Sequence, residues 1–418
     1  MKSSLAALFL INVLNFYDRQ ALSAIVEPLR HEFHLTDAQL GGLVTMFTVI
    51  YALAGLPLGR LADTGSRKRL LASGVAVWTG LTAMGALAVN YVTLLATRLG
   101  VGIGEAVCAP AAMSWIGDLV PVDQRSRAMA AFMTAVPIGA MLSLVVSGPV
   151  AQAWGWRAAL LLAAAPGLLL IPWTLALREP ARTVIKSARG GSFHSPVFWW
   201  ITVSGALLNF VVYSFSTFVP AFLTRYHGLS VAQSGIWSGF GSGGFGVLGG
   251  VVAGFVGDHL VRTRPKGRLQ MAAAFSLVAA VPFFAAIRVR AGGVAASIAL
   301  LMIGYGLIQT YYGLIYASIQ DIVEPGARGI AMATYFVAMY LGGASWGPLL
   351  TGKLSDHFAR EAAGGAVINE AARAIGLHHA MYVIPALSVA LAGVLWAAQA
   401  SVPRAARVTL QEKSSSAA

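Results

Sequence analysis

The residues in this sequence whose types and spacing point to chemistry are four charged side chains inside otherwise apolar stretches: Asp18, Arg19, Arg98 and Glu105. A charge held near the centre of a hydrocarbon layer costs about 2.5–3.5 kcal/mol even on the lenient insertion scale. Four such charges are costly unless they pair, and these four sum to zero. Arg98, Gly102 and Glu105 are spaced i, i+4, i+7, which sets them on one face of a helix. Arg19 lies about 100° round a helix from Asp18, facing a cavity edge or reaching toward an interface. Burial disfavours an ionised carboxylate and a neighbouring guanidinium favours it. A group poised between those two influences can take up and release a proton when its surroundings change. The alternative for the same residues is a purely structural ion-pair network, because buried pairs are often structural. No nucleophile–base constellation accompanies them, so an enzyme is not expected. No catalytic residue, metal ligand set or cofactor motif is assigned. Cys108 is the single cysteine, and His378 and His379 lack cysteine or carboxylate partners at metal spacing. The glycine-rich stretch Gly241–Gly246 follows no strand, which excludes a nucleotide-binding loop.

The elements that must position these charges are membrane helices. The 418 residues are 57% hydrophobic and only 11% charged, whereas soluble domains carry about a quarter charged residues. A membrane-spanning helix needs roughly 20 mostly apolar residues. Twelve stretches qualify: 5–28, 39–61, 69–89, 91–118, 127–151, 157–177, 197–224, 233–258, 268–288, 293–322, 329–353 and 378–402. The first is read as a membrane helix and not a cleavable signal, since it lacks a small-residue cleavage site. The longer connections are 178–196 and 354–377. With the N-terminus placed inside, inside loops and tails hold more than twice as many lysines and arginines as outside loops. That bias puts both termini in the cytoplasm. The net charge of +13 therefore needs no nucleic-acid partner.

The chain also repeats itself. Gly59-Arg-Leu-Ala-Asp63 after the second span is echoed by Gly254-Phe-Val-Gly-Asp258 after the eighth. Asp118, Arg125 and Ala128-Met129-Ala130 recur at a common offset as Asp321, Arg328 and Ala331-Met332-Ala333. The expected fold is an all-α membrane protein, its twelve transmembrane helices in two pseudo-symmetric six-helix bundles. Residues 1–177 form the first bundle, 178–196 a cytoplasmic linker, and 197–418 the second bundle with a short cytoplasmic tail. Parallel repeats of this kind point to alternating access, with substrate held between the halves.

The segment Gly59-Arg-Leu-Ala-Asp63-Thr-Gly65-Ser-Arg67-Lys68 has the form G-x-L-A-D-x-G-x-R-[RK]. It resembles the helix 2–3 signature of the major facilitator superfamily. Glycines at Gly59 and Gly65 let the backbone turn tightly and approach a neighbour. Asp63 can accept hydrogen bonds from a helix N-terminus and the adjacent basic residues, with Asp118 a second carboxylate in the cluster. The resemblance implies that Gly59, Asp63, Gly65, Arg67, Lys68 and Asp118 form a conformational latch. A closer resemblance covers nearly the whole chain. Asn15-Phe-Tyr-Asp18-Arg19, Arg98-Leu-Gly-Val-Gly102-Ile-Gly104-Glu105-Ala and Asp118-Leu-Val-Pro121 are similar to Spinster-family segments. So are Arg125-Ser-Arg127, Ala135-Val-Pro137-Ile-Gly139, Arg178-Glu179-Pro180, Pro220-Ala-Phe-Leu-Thr-Arg225 and the Asp321–Arg328 stretch.

The Spinster resemblance implies a proton-coupled secondary active transporter of an amphipathic, lipid-like molecule. In this superfamily the first and fourth helices line the central cavity, so Asp18 can meet Arg98 or Glu105. Asp18 and Glu105 are then the proton carriers, with one carboxylate ionised beside Arg98 and the other freer to hold a proton. Asn15, Arg19 and Arg98 are expected to bind the ionic part of the substrate. The second bundle has no charge at comparable depth, so Tyr213, Phe215, Gln309, Tyr312 and Tyr316 are expected to line an apolar or hydrogen-bonding half. A small organic-anion:proton symporter on the same fold is the alternative. The expected partners are protons, membrane lipids and the substrate, with no nucleic acid and no other subunit. The expected location is a bacterial inner membrane.

Overall fold

In a computed structural model the chain is described over residues 2–180, 195–263, 266–323 and 328–401. Most of the expected linker, 178–196, lies outside that set. Within it the chain is helical, with no strand among the described residues. The helical runs follow the expected spans, several being broken once near their middle. The order is α1 (Lys2–Ala24), α2 (Val26–Phe33), α3 (Asp37–Thr64), α4 (Arg67–Gly85), α5 (Tyr91–Glu105) and α6 (Cys108–Leu119). Next come α7 (Val122–Met133), α8 (Ala135–Trp154), α9 (Trp156–Ala176), α10 (Pro196–Arg225) and α11 (Val231–Gly239). A π turn at Phe240–Phe245 leads into α12 (Gly246–Thr263), followed by α13 (Gly267–Arg288), α14 (Val294–Ile322) and α15 (Arg328–Met339). A second π turn at Tyr340–Ala344 precedes α16 (Gly347–Ala363), α17 (Glu370–Ala380) and α18 (Val383–Ala400).

Among the described residues nine helical stretches are long and apolar enough to cross a membrane. α1 is not one of them, and it carries both Asp18 and Arg19. One boundary departs from expectation. Residues 354–377, read as a connection, are largely helical, because α16 continues to Ala363 and α17 begins at Glu370. Their polar and charged composition hides a helix from a search for apolar runs. Helix starts follow local chemistry. Thr36, Asn90 and Ser230 each cap a helix in a reciprocal box with the side chain three residues on. Ser66 caps α4 alone, accepting from the Arg69 backbone N–H.

Packing resolves into two compact units. One holds Met1–Ile185, Phe215–Gly243 and Pro348–Ala380, and the other Lys186–Ser214, Gly244–Gly347 and Met381–Ala418. The first unit has two apolar cores. Leu8, Ile11, Trp78, Val101 and Trp115 centre one, and Ile25, Leu43, Leu94, Leu144 and Trp156 the other. Gly102 permits the approach of α5 to α3, since a Cβ there would sit 2.9 Å from the Phe47 carbonyl oxygen. The glycines around the first π turn pack on α8 in the same way. A Cβ on Gly243 would lie 2.4 Å from the Met141 Cβ.

Candidate functional site

Four intramembrane charges come together in the first unit as two pairs. Arg98 on α5 places Nη1 3.6 Å from Asp18 Oδ1 on α1. Its Nη2 also donates to Thr82 Oγ1 at 3.4 Å, and the Thr82 hydroxyl in turn donates to Asp18 Oδ2. Arg19 donates from Nε and Nη2 to Glu105 Oε2 at 3.3 and 3.2 Å. Its guanidinium lies over the rings of Tyr51, Phe16 and Phe47, at 4.3, 4.8 and 5.3 Å from their centroids. An aromatic face attracts a cation most where water is excluded. Asp18, Arg98 and Glu105 are at most 1% exposed.

This arrangement corrects the expectation of one guanidinium shared by two carboxylates. Each carboxylate has its own arginine. Arg19, adjacent to Asp18 in sequence, points to Glu105 because consecutive helical residues diverge by about 100°. Arg98 sits behind Asp18, against Thr82 and Gly85. Several polar atoms here are buried without a hydrogen-bond partner: Asn15 Nδ2, Arg98 Nε and Glu105 Oε1. Such atoms are rare in proteins and mark places where another polar group belongs.

The second unit gathers tyrosines. Gln309, Tyr312 and Tyr316 share a half-buried face of α14. Tyr312 donates to Asn209 Oδ1 at 3.3 Å, and Gln309 Nε2 donates to Tyr305 Oη at 3.1 Å. Gln309 Oε1 has no partner. Tyr213 meets Tyr340 edge-on at 6.4 Å, and Tyr316 meets Tyr335 and Phe336. Phe215, two residues on from Tyr213 along α10, is buried. Sequence reasoning also missed Asn209, Tyr305 and Tyr340, which no feature of the sequence sets apart from packing residues.

The helix 2–3 motif is built around Arg67, whose side chain is 1% exposed. It pairs with Asp118 and with Glu179, the latter at 3.1 Å. It also donates to the carbonyl oxygens of Ser114 and Pro180, both at 3.0 Å. Glu179 caps the start of α4. Ser66 Oγ donates to it at 2.7 Å and the Arg67 backbone N–H at 2.9 Å. Burial pushes the Glu179 carboxyl up, but the bonds from Ser66, Arg67 and Lys68 outweigh it and hold the group below its ordinary value. Gly65 ends α3, where a Cβ would crowd the Leu61 carbonyl oxygen at 3.1 Å. Gly59 departs from expectation. It lies inside α3, and the nearest atom to a Cβ there would be Pro110 Cβ at 4.0 Å. The Asp63 side chain lies outside the described residues. In the second unit Arg268 pairs with Asp321, the counterpart of Asp118 in the repeat.

A third cluster was not anticipated. At the starts of α2 and α3 and the end of α10, Arg225 donates to Glu27 Oε1 at 2.6 Å and forks onto both oxygens of Asp37 at 2.8 Å. Ser355 donates to Asp37 at 2.6 Å, and Asp356 accepts the backbone N–H groups of Asp37 and Ala38 at 2.9 Å. Arg30 joins Glu27 to Glu370. The Arg225, Glu27 and Asp37 side chains are 3%, 6% and 2% exposed. Beside them His227 is buried, with neither ring nitrogen hydrogen-bonded, and His378 stacks on Tyr226 at 4.3 Å. The cluster ties residues of α2, α3, α10, α16 and α17 within one unit. The only signal in the sequence was Arg225 in the Pro220–Arg225 segment.

Comparison with known proteins agrees with this architecture. The family profile of the Major Facilitator Superfamily matches residues 8–348. An MFS-type efflux pump of Mycolicibacterium smegmatis is 30% identical over 364 residues, covering 85% of this chain and 84% of that protein. Protein spinster homolog 1 of Bos taurus is 28% identical over 388 residues, covering 85% of this chain and 73% of that protein. A crystal structure of a bacterial homolog to the human lysosomal transporter Spinster, inward-facing and occupied, superposes with a TM-score of 0.87 at 25% identity, covering 95% of this chain and 96% of that one. These relatives are transporters and not enzymes. The chain belongs to the Major Facilitator Superfamily, as a multi-pass membrane transporter that resembles the Spinster proteins.

Proposed function

We propose that this protein is a proton-coupled secondary transporter of an amphipathic, lipid-like substrate, working by alternating access between repeat halves 1–177 and 197–418. The observation that carries the reading is the double acid–arginine pairing of Asp18 with Arg98 and Glu105 with Arg19, buried in the first unit. Removing one partner of a buried pair leaves an uncompensated charge, at about 3–5 kcal/mol. A proton on Glu105 discharges that debt and frees Arg19 for an anionic headgroup. Asn15 Nδ2 supplies a further donor for that headgroup. Asp18 and Arg98 repeat the exchange, with Arg98 about two turns from Glu105 along α5. Tyr213, Gln309 and Tyr312 receive the less polar portion of the substrate.

The Arg67 cluster with Asp118 and Lys68, and Gly59, Asp63 and Gly65 beside it, acts as the latch at the cytoplasmic ends. The cluster of Glu27, Arg225 and Asp37 holds the outer ends together in the conformation described here. The basic bias of the even-numbered connections supports cytoplasmic termini in a bacterial inner membrane.

The test is uptake into proteoliposomes with and without a pH gradient, with lysophospholipids of graded chain length and small organic anions. Asp18→Asn and Glu105→Gln are each expected to abolish gradient-driven accumulation while exchange without a gradient survives. The two should be non-additive, since the pairs neighbour one another. If both single variants still concentrate substrate, the pairs are structural and the coupling assignment is wrong. Uptake that ignores tail length and saturates with small anions would instead establish the organic-anion reading.

A further inference from the structure

A groove of about 530 Å³ runs between α13 and α18 inside the second unit, apart from the residues assigned above to transport. Its floor is made of small residues, Ala273 on α13 and Gly393 on α18, and its rims of Leu277, Val389 and Trp396. These three rim residues are exposed on helices apolar enough to cross a membrane, so the groove opens to hydrocarbon. The lining runs from Val389 to Gln399, ten residues of helix or about 15 Å. That length suits an extended acyl chain lying along the helices.

One end of the groove is polar. Gln399 lines it, is 8% exposed, and has an Nε2 amide with no hydrogen-bond partner. A buried donor without an acceptor costs about 1–3 kcal/mol, so its neighbour is expected to be an acceptor. Lys266, at the start of α13, donates to the Gln399 carbonyl oxygen at 2.6 Å. Among the described residues its ammonium has no carboxylate partner, whereas the nearby Arg268 is paired with Asp321. The sequence adds Arg262 and Arg264 just before Lys266, and Arg404 and Arg407 just after α18. Trp396 stands one turn from this end, at the level where an indole ring anchors at a membrane interface. A small-residue groove alone would be lipid-facing packing. The unpartnered amide and the uncompensated cation at one end of it call for an anionic acceptor with an apolar tail.

We propose that this groove is a binding site for an anionic phospholipid of the surrounding bilayer. The phosphate sits between Lys266 Nζ and Gln399 Nε2, and one acyl chain lies along Ala273, Leu277, Gly393 and Val389. Basic pockets between membrane helices recognise acidic headgroups by this chemistry. The site is distinct from the proposed transport path and needs no proton.

The experiment uses the purified full chain, delipidated and returned to mixed micelles with either phosphatidylglycerol or phosphatidylcholine, and reads retained lipid by native mass spectrometry. Phosphatidylglycerol is expected to be retained about five-fold or more over phosphatidylcholine, the preference one cation near the surface confers. Lys266→Ala should reduce retention to the phosphatidylcholine level. Gly393→Leu should remove retention of both lipids by filling the groove, and a Cβ at 393 meets nothing within 4 Å, so the fold tolerates it. A photoactivatable phosphatidylglycerol on the unmodified protein should label peptides of α13 and α18, which keeps the test decisive should a variant aggregate. Equal retention of the two lipids, unchanged retention in both variants, or labelling confined to other helices overturns the proposal.

Discussion

Replacing Arg225 by alanine is expected to open the closure formed by Glu27, Asp37 and Ser355. The guanidinium makes three bonds of 2.6, 2.8 and 2.8 Å to two carboxylates and is 3% exposed. Without it, Glu27 retains Arg30. Asp37 retains only the Ser355 hydroxyl among side chains. Leaving a buried carboxylate without its cation costs about 3–5 kcal/mol. The cost falls only on the packed arrangement, because in an opened one both acids are hydrated. The population ratio should therefore shift toward the opened form by a factor on the order of 100 to several thousand. Double electron–electron resonance between labels at His34→Cys and Ala362→Cys reads this directly. Both positions are exposed and in the same unit, and the native Cys108 is buried and should resist labelling. The parent should give a single short distance and Arg225→Ala a longer one. Arg225→Lys should fall between, since one ammonium cannot reproduce a fork onto two acids. An Arg225→Ala distribution identical to that of the parent would show that the cluster does not hold this end closed.

Three further outcomes are expected. Arg98→Lys should lose pH-gradient-driven uptake in proteoliposomes, because a point charge cannot hold Asp18 and Thr82 together as the planar fork does; near-normal uptake by the variant would remove Arg98 from the coupling path. Burial, with His378 adding to it, depresses the His227 imidazole below its ordinary value of 6.5. An opened form then binds more protons than the packed one as pH falls below that value, so the closure weakens on acidification. The same label pair, read from about pH 7.5 to about 5, should lengthen in the parent and not in His227→Phe; matching profiles would exclude the histidine. The Glu179 carboxyl is depressed below its ordinary 4.5, so its contribution is fully present above that value and lost as pH falls through the lower folded one. Glu179→Gln should therefore lower stability at neutral pH by about 1–3 kcal/mol, seen as a lower unfolding temperature, and an unchanged temperature would count against the capping role.

The class of fold was legible in the sequence because the bilayer acts locally. Each helix must satisfy its own backbone and carry its own apolar run, so spans can be read one at a time. Asp18, Arg19, Arg98 and Glu105 were legible for the same reason, being charges where a span tolerates none. Their pairing was not, since it depends on how α1 is rotated against α5, and neither helix encodes that alone. The expectation of a single shared arginine failed at this point. Glu27 and Asp37 gave no warning and Arg225 only the resemblance of its segment, because a charge at the end of a span is ordinary and only the meeting of several ends makes the three a buried cluster. Tyr312 and Gln309 were chosen by depth and type, whereas Asn209, Tyr305 and Tyr340 needed the packed unit to be found. The polar helices over 354–377 escaped because their contacts, and not their hydropathy, hold them in place: Glu370 on Arg30, and Ser355 and Asp356 on Asp37 and the start of α3. The tertiary structure decided these points because a contact is a property of two segments at once, and the sequence states each segment only once.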